Sequence, residues 1–313
     1  MAMEVFSADL WMANLQEAPD SLESWLDGVE ARLTAAAARG ASLLVMPEFA
    51  CAQWLAFAPE GATGSASLGW MGELASVALD RLSAMAVNTG VALLPGTMPF
   101  AIPDATGAIR GHTNRAWFFT PDGARQYQDK LSLTPLEADG SAGITLPGTS
   151  INVLQWNGLR CAIAVCLDAE YTALWDRLGQ LDLDLVMIPA KTDMITGYNR
   201  VMGCARVRAI ELQTVVCCVG AVGAPLTPVA EDTGVGGAGV FLPCDVSVSE
   251  DGVLALSEPR AASDRTDPVL KAVGIPVGQS RRIRTGAAEA ELQPALWGAD
   301  HLAIIDPAIV AAA

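Results

Sequence analysis

Short apolar runs alternate with stretches of helical spacing along most of this chain. Residues 3–12 read as a first strand. Asp20 or Ser21 can cap a helix reaching about Arg39, because Leu22, Trp25, Leu26, Val29 and Leu33 recur at the helical period. Gly40 stops that helix, and residues 42–46 form a continuous apolar run of the kind a strand buried on both faces requires. A helix over 69–88 and a buried strand over 91–95 repeat the unit.

Alternation then takes over. Residues 115–119 and 124–128 flank a Pro-Asp-Gly turn, and 151–155 and 159–165 flank Asn157 and Gly158, so two hairpins are predicted. A helix over 169–178, a strand over 185–188, a helix over 198–212 and a strand over 214–219 follow, and strands at 240–248 and 253–256 close the series. Hairpins and crossovers together imply mixed sheets covered by helices. Past Pro259 the pattern weakens. The expected organisation is therefore one domain over 1–258, with residues 259–313 an extension running over its surface or onto a partner subunit. No internal repeat or low-complexity segment interrupts this reading.

Charge narrows the partners. Thirty-five acidic against 19 basic side chains leave a net charge of −16 over 313 residues, which argues against nucleic acid and anionic lipid surfaces. The one basic cluster, Arg281, Arg282 and Arg284, reads as a solvated or interface-pairing loop. The uncharged stretch 212–230 holds two prolines and two glycines and reads as strand then loop rather than a membrane span. With neither a basic n-region nor a compact apolar h-region at the start, a cytoplasmic location is expected.

Seven cysteines in so long a chain, none in a Cys-x-x-Cys pair, do not suggest a disulfide framework. His112 and His301 are the two histidines, too few for a His-rich zinc site and unfavourable for Cys-His or Ser-His-Asp chemistry. No GxxxxGK or strand-linked GxGxxG is present, so the glycine-rich 234–239 segment reads as loop rather than a nucleotide site.

Three residues share an unusual context. Glu48 ends a strand that should be fully buried, Cys166 sits where a strand passes into a helix, and Lys130 follows a hairpin. In α/β proteins the carboxyl ends of strands are where ligand sites gather. A helix N-terminus and a lysine lower a thiol pKa, and a carboxylate in an apolar cleft shuttles protons near neutrality. An ammonium and a backbone N–H can hold an oxyanion.

The segments carrying these residues resemble the signatures of the nitrilase superfamily of carbon–nitrogen hydrolases. They are Leu-Val-Met-Pro-Glu-Phe at 44–49, Tyr-Gln-Asp-Lys-Leu at 127–131 with Thr-Pro-Leu-Glu at 134–137, and Arg-Cys-Ala-Ile-Ala-Val-Cys-Leu-Asp at 160–168. The helix segment 205–211 and the Asp251–Gly252 turn are similar to later family features, in the same order. The resemblance implies an αββα four-layer sandwich with two mixed β-sheets, in a homodimer or higher homo-oligomer. It implies that Cys166 is the nucleophile, Glu48 the general base, Lys130 with the Leu167 N–H the oxyanion donors, and Glu137 a fourth catalytic member. It implies no cofactor and no metal.

The Leu167–Asp168 pair differs from the aromatic-then-Glu pattern of nitrilases and favours a small-molecule amide as substrate. A nitrile or N-carbamoyl substrate is the alternative within the class, and a catalytically silent binding homologue the alternative outside it. Asp168 is also suited to cap the helix behind Cys166. Trp54, Trp117, Tyr171, Lys191 and Asp193 are candidates for lining the substrate pocket, with core packing the competing reading for the aromatics.

Overall fold

The computed structural model describes residues 2–63, 65–140, 143, 145–224, 234–261 and 268–287. Strand β1 (Phe6–Trp11) crosses through helix α1 (Leu22–Ala38) to β2 (Leu43–Val45), which crosses through α2 (Ser65–Thr89) to β3 (Ala92–Leu94). All three strands are parallel. Ser21 caps α1 through its hydroxyl, which accepts the Ser24 N–H at 3.2 Å, while the Ser24 hydroxyl accepts the Ser21 N–H in return.

Two long strands, β4 (Thr97–Pro103) and β5 (Ile109–Phe119), extend this first sheet. Strands β6 (Arg125–Asp129) and β7 (Thr145–Leu146) both pair with β5, and the short helix α3 (Pro135–Ala138) lies between them in sequence. The second sheet begins with the hairpin β8 (Leu154–Trp156) and β9 (Leu159–Ile163). Helix α4 (Thr172–Leu178) leads to β10 (Leu185–Ala190) and α5 (Ile195–Glu211) to β11 (Val215–Gly220), both parallel crossovers. Antiparallel β12 (Ala238–Phe241) and β13 (Val253–Leu256) complete that sheet. The first sheet runs β14-β1-β2-β3-β5-β4 and the second β13-β12-β11-β10-β9-β8, where β14 is Val269–Ile275.

The two sheets face each other across one apolar core, and α1 and α2 cover the outer face of the first across another. Successive side chains of a strand point to opposite faces. Accordingly Leu43 and Val45 enter the inter-sheet core, and Leu44 enters the helix-covered one. That double burial is why β2 reads as an unbroken apolar run. The α5 side chains Tyr198, Val201, Met202 and Ala205 cover the second sheet, which completes the αββα layering.

Several expectations need correction. Pro99 and Pro103 disguise β4, which is tolerated because it is an edge strand where a missing N–H breaks no ladder. The strand predicted over 240–248 stops at Phe241. The helix predicted from residue 169 divides into a one-turn 3-10 helix, Cys166–Glu170, and α4. Past Pro259, β14 packs onto the domain by pairing antiparallel with β1, with Phe6 opposite Ile275 and Trp11 opposite Val269. The basic cluster is not a solvated loop. Helix α6 (Val277–Arg282) carries Arg281, and both Arg281 and Arg284 lie 2.9 Å from the buried Asp184 Oδ1, while Arg282 pairs with Glu4. Part of the uncharged stretch, 225–230, and the extension from 288 lie outside the described residues. Among the described residues no helix is long and apolar enough to cross a membrane.

Candidate active site

Four chain segments converge beyond the strand ends. The first leaves β2, where the Met46 N–H donates to Leu94 O and the chain turns at Pro47 and Glu48. Gly96 backs this turn at φ +81, and a Cβ there would overlap Pro47 O, so the close approach needs glycine. Phe49 adopts φ 53 and its N–H donates to Thr97 Oγ1 at 2.9 Å, which fixes where the Glu48 side chain leaves the backbone.

The second segment leaves β6. The Lys130 N–H donates to Asn114 O and the Lys130 carbonyl accepts the Gly148 N–H, so Lys130 is held as a continuation of the strand. Seven residues on, Thr134 and Glu137 form a capping box around Pro135. The Thr134 N–H donates to Glu137 Oε2 at 2.8 Å, and the Glu137 N–H donates to Thr134 Oγ1 at 3.3 Å. This cap aims the Glu137 carboxylate at Lys130.

The third segment leaves β9 and turns sharply at Cys166, whose φ of 50 is sparsely populated for a side chain with a Cβ. Asp168 secures the turn. Its fully buried carboxylate accepts the Val165 N–H at 3.0 Å, and also the Ser132 N–H at 2.7 Å and the Leu131 N–H at 3.3 Å. Through the Val165 N–H it caps the short helix that begins at Cys166, as expected. It also ties the Cys166 turn to the Lys130 segment.

The fourth segment leaves β10. Here Lys191 contributes its backbone: its N–H donates to Glu48 Oε2 at 3.0 Å, and its carbonyl accepts the Cys166 thiol at 3.3 Å. Its ammonium pairs with Asp193.

At the centre, Lys130 Nζ lies 2.8 Å from Glu48 Oε1 and 2.9 Å from Glu137 Oε2. The Cys166 thiol donates to Lys191 O, and its titration is linked to the Glu48 carboxylate. Glu48, Lys130, Cys166 and Glu137 are all buried, so these charges meet in a poorly solvated space. Burial raises the Glu48 pKa above its ordinary value despite the neighbouring ammonium, helped by the second carboxylate of Glu137. Burial also pushes the Cys166 thiol up, and the Glu48 charge adds to it. The expected lowering of the thiol by a helix end and a lysine is thus outweighed, and the resting thiol keeps its proton. Burial opposes the Lys130 charge, but the carboxylates of Glu48 and Glu137 hold it protonated. Chemically, this is a protonated nucleophile beside a base of raised affinity, with a fixed cation next to both.

Other candidates lie elsewhere or serve differently. Trp54 is fully buried and meets Trp25 edge-on at 5.2 Å in the core between α1 and the first sheet. Trp117 joins the same core, stacked near Phe119. Tyr171, at the junction before α4, is 51% exposed. One close neighbour of the centre was not anticipated: Asn114, 2% exposed, donates from Nδ2 to Glu48 Oε1 at 2.9 Å. A carboxamide inside a strand is disfavoured unless it has a specific partner, and that was the available signal. Among the described residues no group of three or more His, Cys, Asp or Glu side chains could hold a metal ion.

The family model described as carbon–nitrogen hydrolase matches residues 8–311. The Bacillus subtilis (strain 168) protein named "Probable hydrolase YhcX" is 26% identical over 239 residues, 76% of this chain and 45% of its own. The chain thus spans about half the length of the curated relative it matches. A carbon–nitrogen hydrolase from Helicobacter pylori G27 superposes with a TM-score of 0.69 at 16% identity, covering 90% of this chain and 92% of that one. An amidase variant from Nesterenkonia sp. AN1, bearing acrylamide added at its active-site cysteine, superposes with a TM-score of 0.65 at 20% identity over 90% and 97%. At such identities the superpositions establish a shared fold.

Proposed function

The chain belongs to the carbon–nitrogen hydrolase family, and from that premise we propose that it hydrolyses the C–N bond of a small amide through a cysteine acyl-enzyme, releasing ammonia or an amine. The observation that carries this reading is the Glu48 carboxylate, paired with the Lys130 ammonium on one oxygen and joined on the other, through the Lys191 peptide group, to the Cys166 thiol. As the thiol sulfur attacks the amide carbonyl carbon, its proton passes to Glu48. The carbonyl oxygen, now an oxyanion, is stabilised by Lys130 and by the N–H of Leu167, which lies in the first turn of the one-turn helix, where N–H groups lack intrahelical acceptors. Glu48 returns the proton to the leaving nitrogen as the C–N bond breaks. It then takes a proton from water attacking the thioester, and the thiol is released. Glu137 holds Lys130 in place throughout.

An amide substrate is favoured by Asp168. The Leu-Asp pair after the nucleophile resembles the amide-cleaving branches of the superfamily, and this Asp accepts N–H groups from two segments of the site. The Nesterenkonia amidase, whose active-site cysteine carries acrylamide, offers parallel support. The test is acid and ammonia release from short primary amides, compared with nitriles and N-carbamoyl compounds of the same acyl group. Amides should be turned over, and hydroxylamine should trap an acyl group on Cys166. Acid from nitriles alone would overturn the amide assignment.

A further inference from the structure

The two oxygens of Glu48 are unequally occupied. Oε1 accepts the Lys130 ammonium at 2.8 Å and the Asn114 amide at 2.9 Å, whereas Oε2 accepts the Lys191 N–H alone at 3.0 Å. A carboxylate oxygen offers about two lone-pair sites. Oε1 is therefore saturated, and Oε2 keeps one site open. Lys191 adds to the asymmetry, because the residue whose N–H reaches Oε2 also accepts the Cys166 thiol with its carbonyl.

Asn114 is built for this task. It lies in β5 and is nearly fully buried, and its own carbonyl accepts the Lys130 N–H. One residue thus orients the carboxylate with its side chain and the ammonium with its backbone. Its side-chain Oδ1 is buried without a partner, so the amide is held by Glu48. The charged or titratable side chains facing Glu48 are Lys130 after β6, Glu137 on α3 and Cys166 after β9, while β10 contributes the Lys191 backbone.

We propose that Asn114 is a positioning residue that occupies Glu48 Oε1, so that Oε2 alone exchanges the proton with Cys166. This rests on Glu48 acting as the base for Cys166. A donor to a carboxylate favours its ionised form. Without that donor Glu48 keeps its proton to higher pH, so thiol activation begins at higher pH.

The test needs no knowledge of the substrate. Alkylation of Cys166 by iodoacetamide is followed against pH by peptide mass spectrometry in the wild type, Asn114→Ala, Asn114→Leu and Glu48→Gln. Both Asn114 variants should react with Cys166 about tenfold more slowly at neutral pH, the scale of one hydrogen bond to a charged group. Their acid limb should move upward by about one pH unit. Asn114→Leu keeps the side-chain size without a donor or a charge, so it serves if the alanine variant folds poorly. A uniform slowing with an unmoved acid limb, or no slowing, would overturn the positioning role while leaving Glu48 as base. Unchanged reactivity in Glu48→Gln would overturn the base assignment, and this inference with it.

Discussion

Glu48 Oε2 accepts the Lys191 backbone N–H at 3.0 Å although 143 positions separate the two residues. The bond joins the first sheet to the second at the point where Cys166 emerges, while the Lys191 ammonium pairs with Asp193. The central carboxylate is thus oriented by peptide groups and a buried amide as much as by its ion pair. Each of these contacts has a measurable consequence.

Replacing Cys166 by Ser should abolish turnover and keep the fold. The drop in kcat should be roughly 10⁴-fold or more, as for removal of other catalytic nucleophiles. Amide hydrolysis beside thermal denaturation checks this. A coincident loss of cooperative unfolding would assign Cys166 a structural role instead.

Lys130→Ala removes the cation shared by two buried carboxylates. Leaving buried charge uncompensated costs roughly 3–5 kcal/mol, and kcat should fall far more than KM rises. The sign of the pH effect follows from Glu48. Its folded pKa is already raised, and losing the Lys130 charge raises it further, so the folded variant binds this proton more tightly than the unfolded chain. The stability gap to the wild type should narrow as pH falls from 7 towards the ordinary glutamate value of 4.5. Denaturant titrations at several pH values measure it.

In the wild type the same raised affinity sets the activity profile. Glu48 must be ionised to accept the thiol proton, so kcat/KM should fall on an acid limb lying above 4.5. The limb belongs to the coupled Glu48–Cys166 pair rather than to one residue. A limb at or below 4.5 would mean that another group supplies the base.

Asp168→Asn places an amide N–H against backbone N–H groups that now donate to a carboxylate. At least one of them loses its acceptor, at a cost of about 1–3 kcal/mol. Displacement of the Cys166 turn relative to Lys130 should lower kcat by about 10²-fold, because sub-ångström placement governs the reacting distance. Steady-state kinetics with thermal melts test both effects.

Much of the architecture was legible because its strands announce themselves. Residues buried on both faces, such as those of β2 and β10, must be apolar throughout, and Glu48 and Cys166 stand out just beyond the ends of β2 and β9. The capping box of Thr134 and Glu137 is likewise a local signal. Less legible were features set by backbone direction or by distant partners. Lys191 looked like a side-chain ligand, yet its peptide group makes the contacts to Glu48 and Cys166. Asn114 acquires its meaning only when β5 brings it beside Glu48, 66 positions away. Trp54 looked suited to a pocket, but the packing of α1 claims its ring. Strand β14 carried little apolar alternation, because one face of Val269–Ile275 stays largely exposed.

The pairing of β1 with β14 also sets a timetable for synthesis. Val269 follows its partner Trp11 by 258 positions. At roughly 5–20 residues per second, ribosomal elongation takes tens of seconds to cover that interval. Until then one edge of β1 has no strand beside it, although β2 is already available on the other. An uncovered strand edge invites pairing with another chain. Until its last described strand arrives, that edge of β1 is open to pairing with another chain.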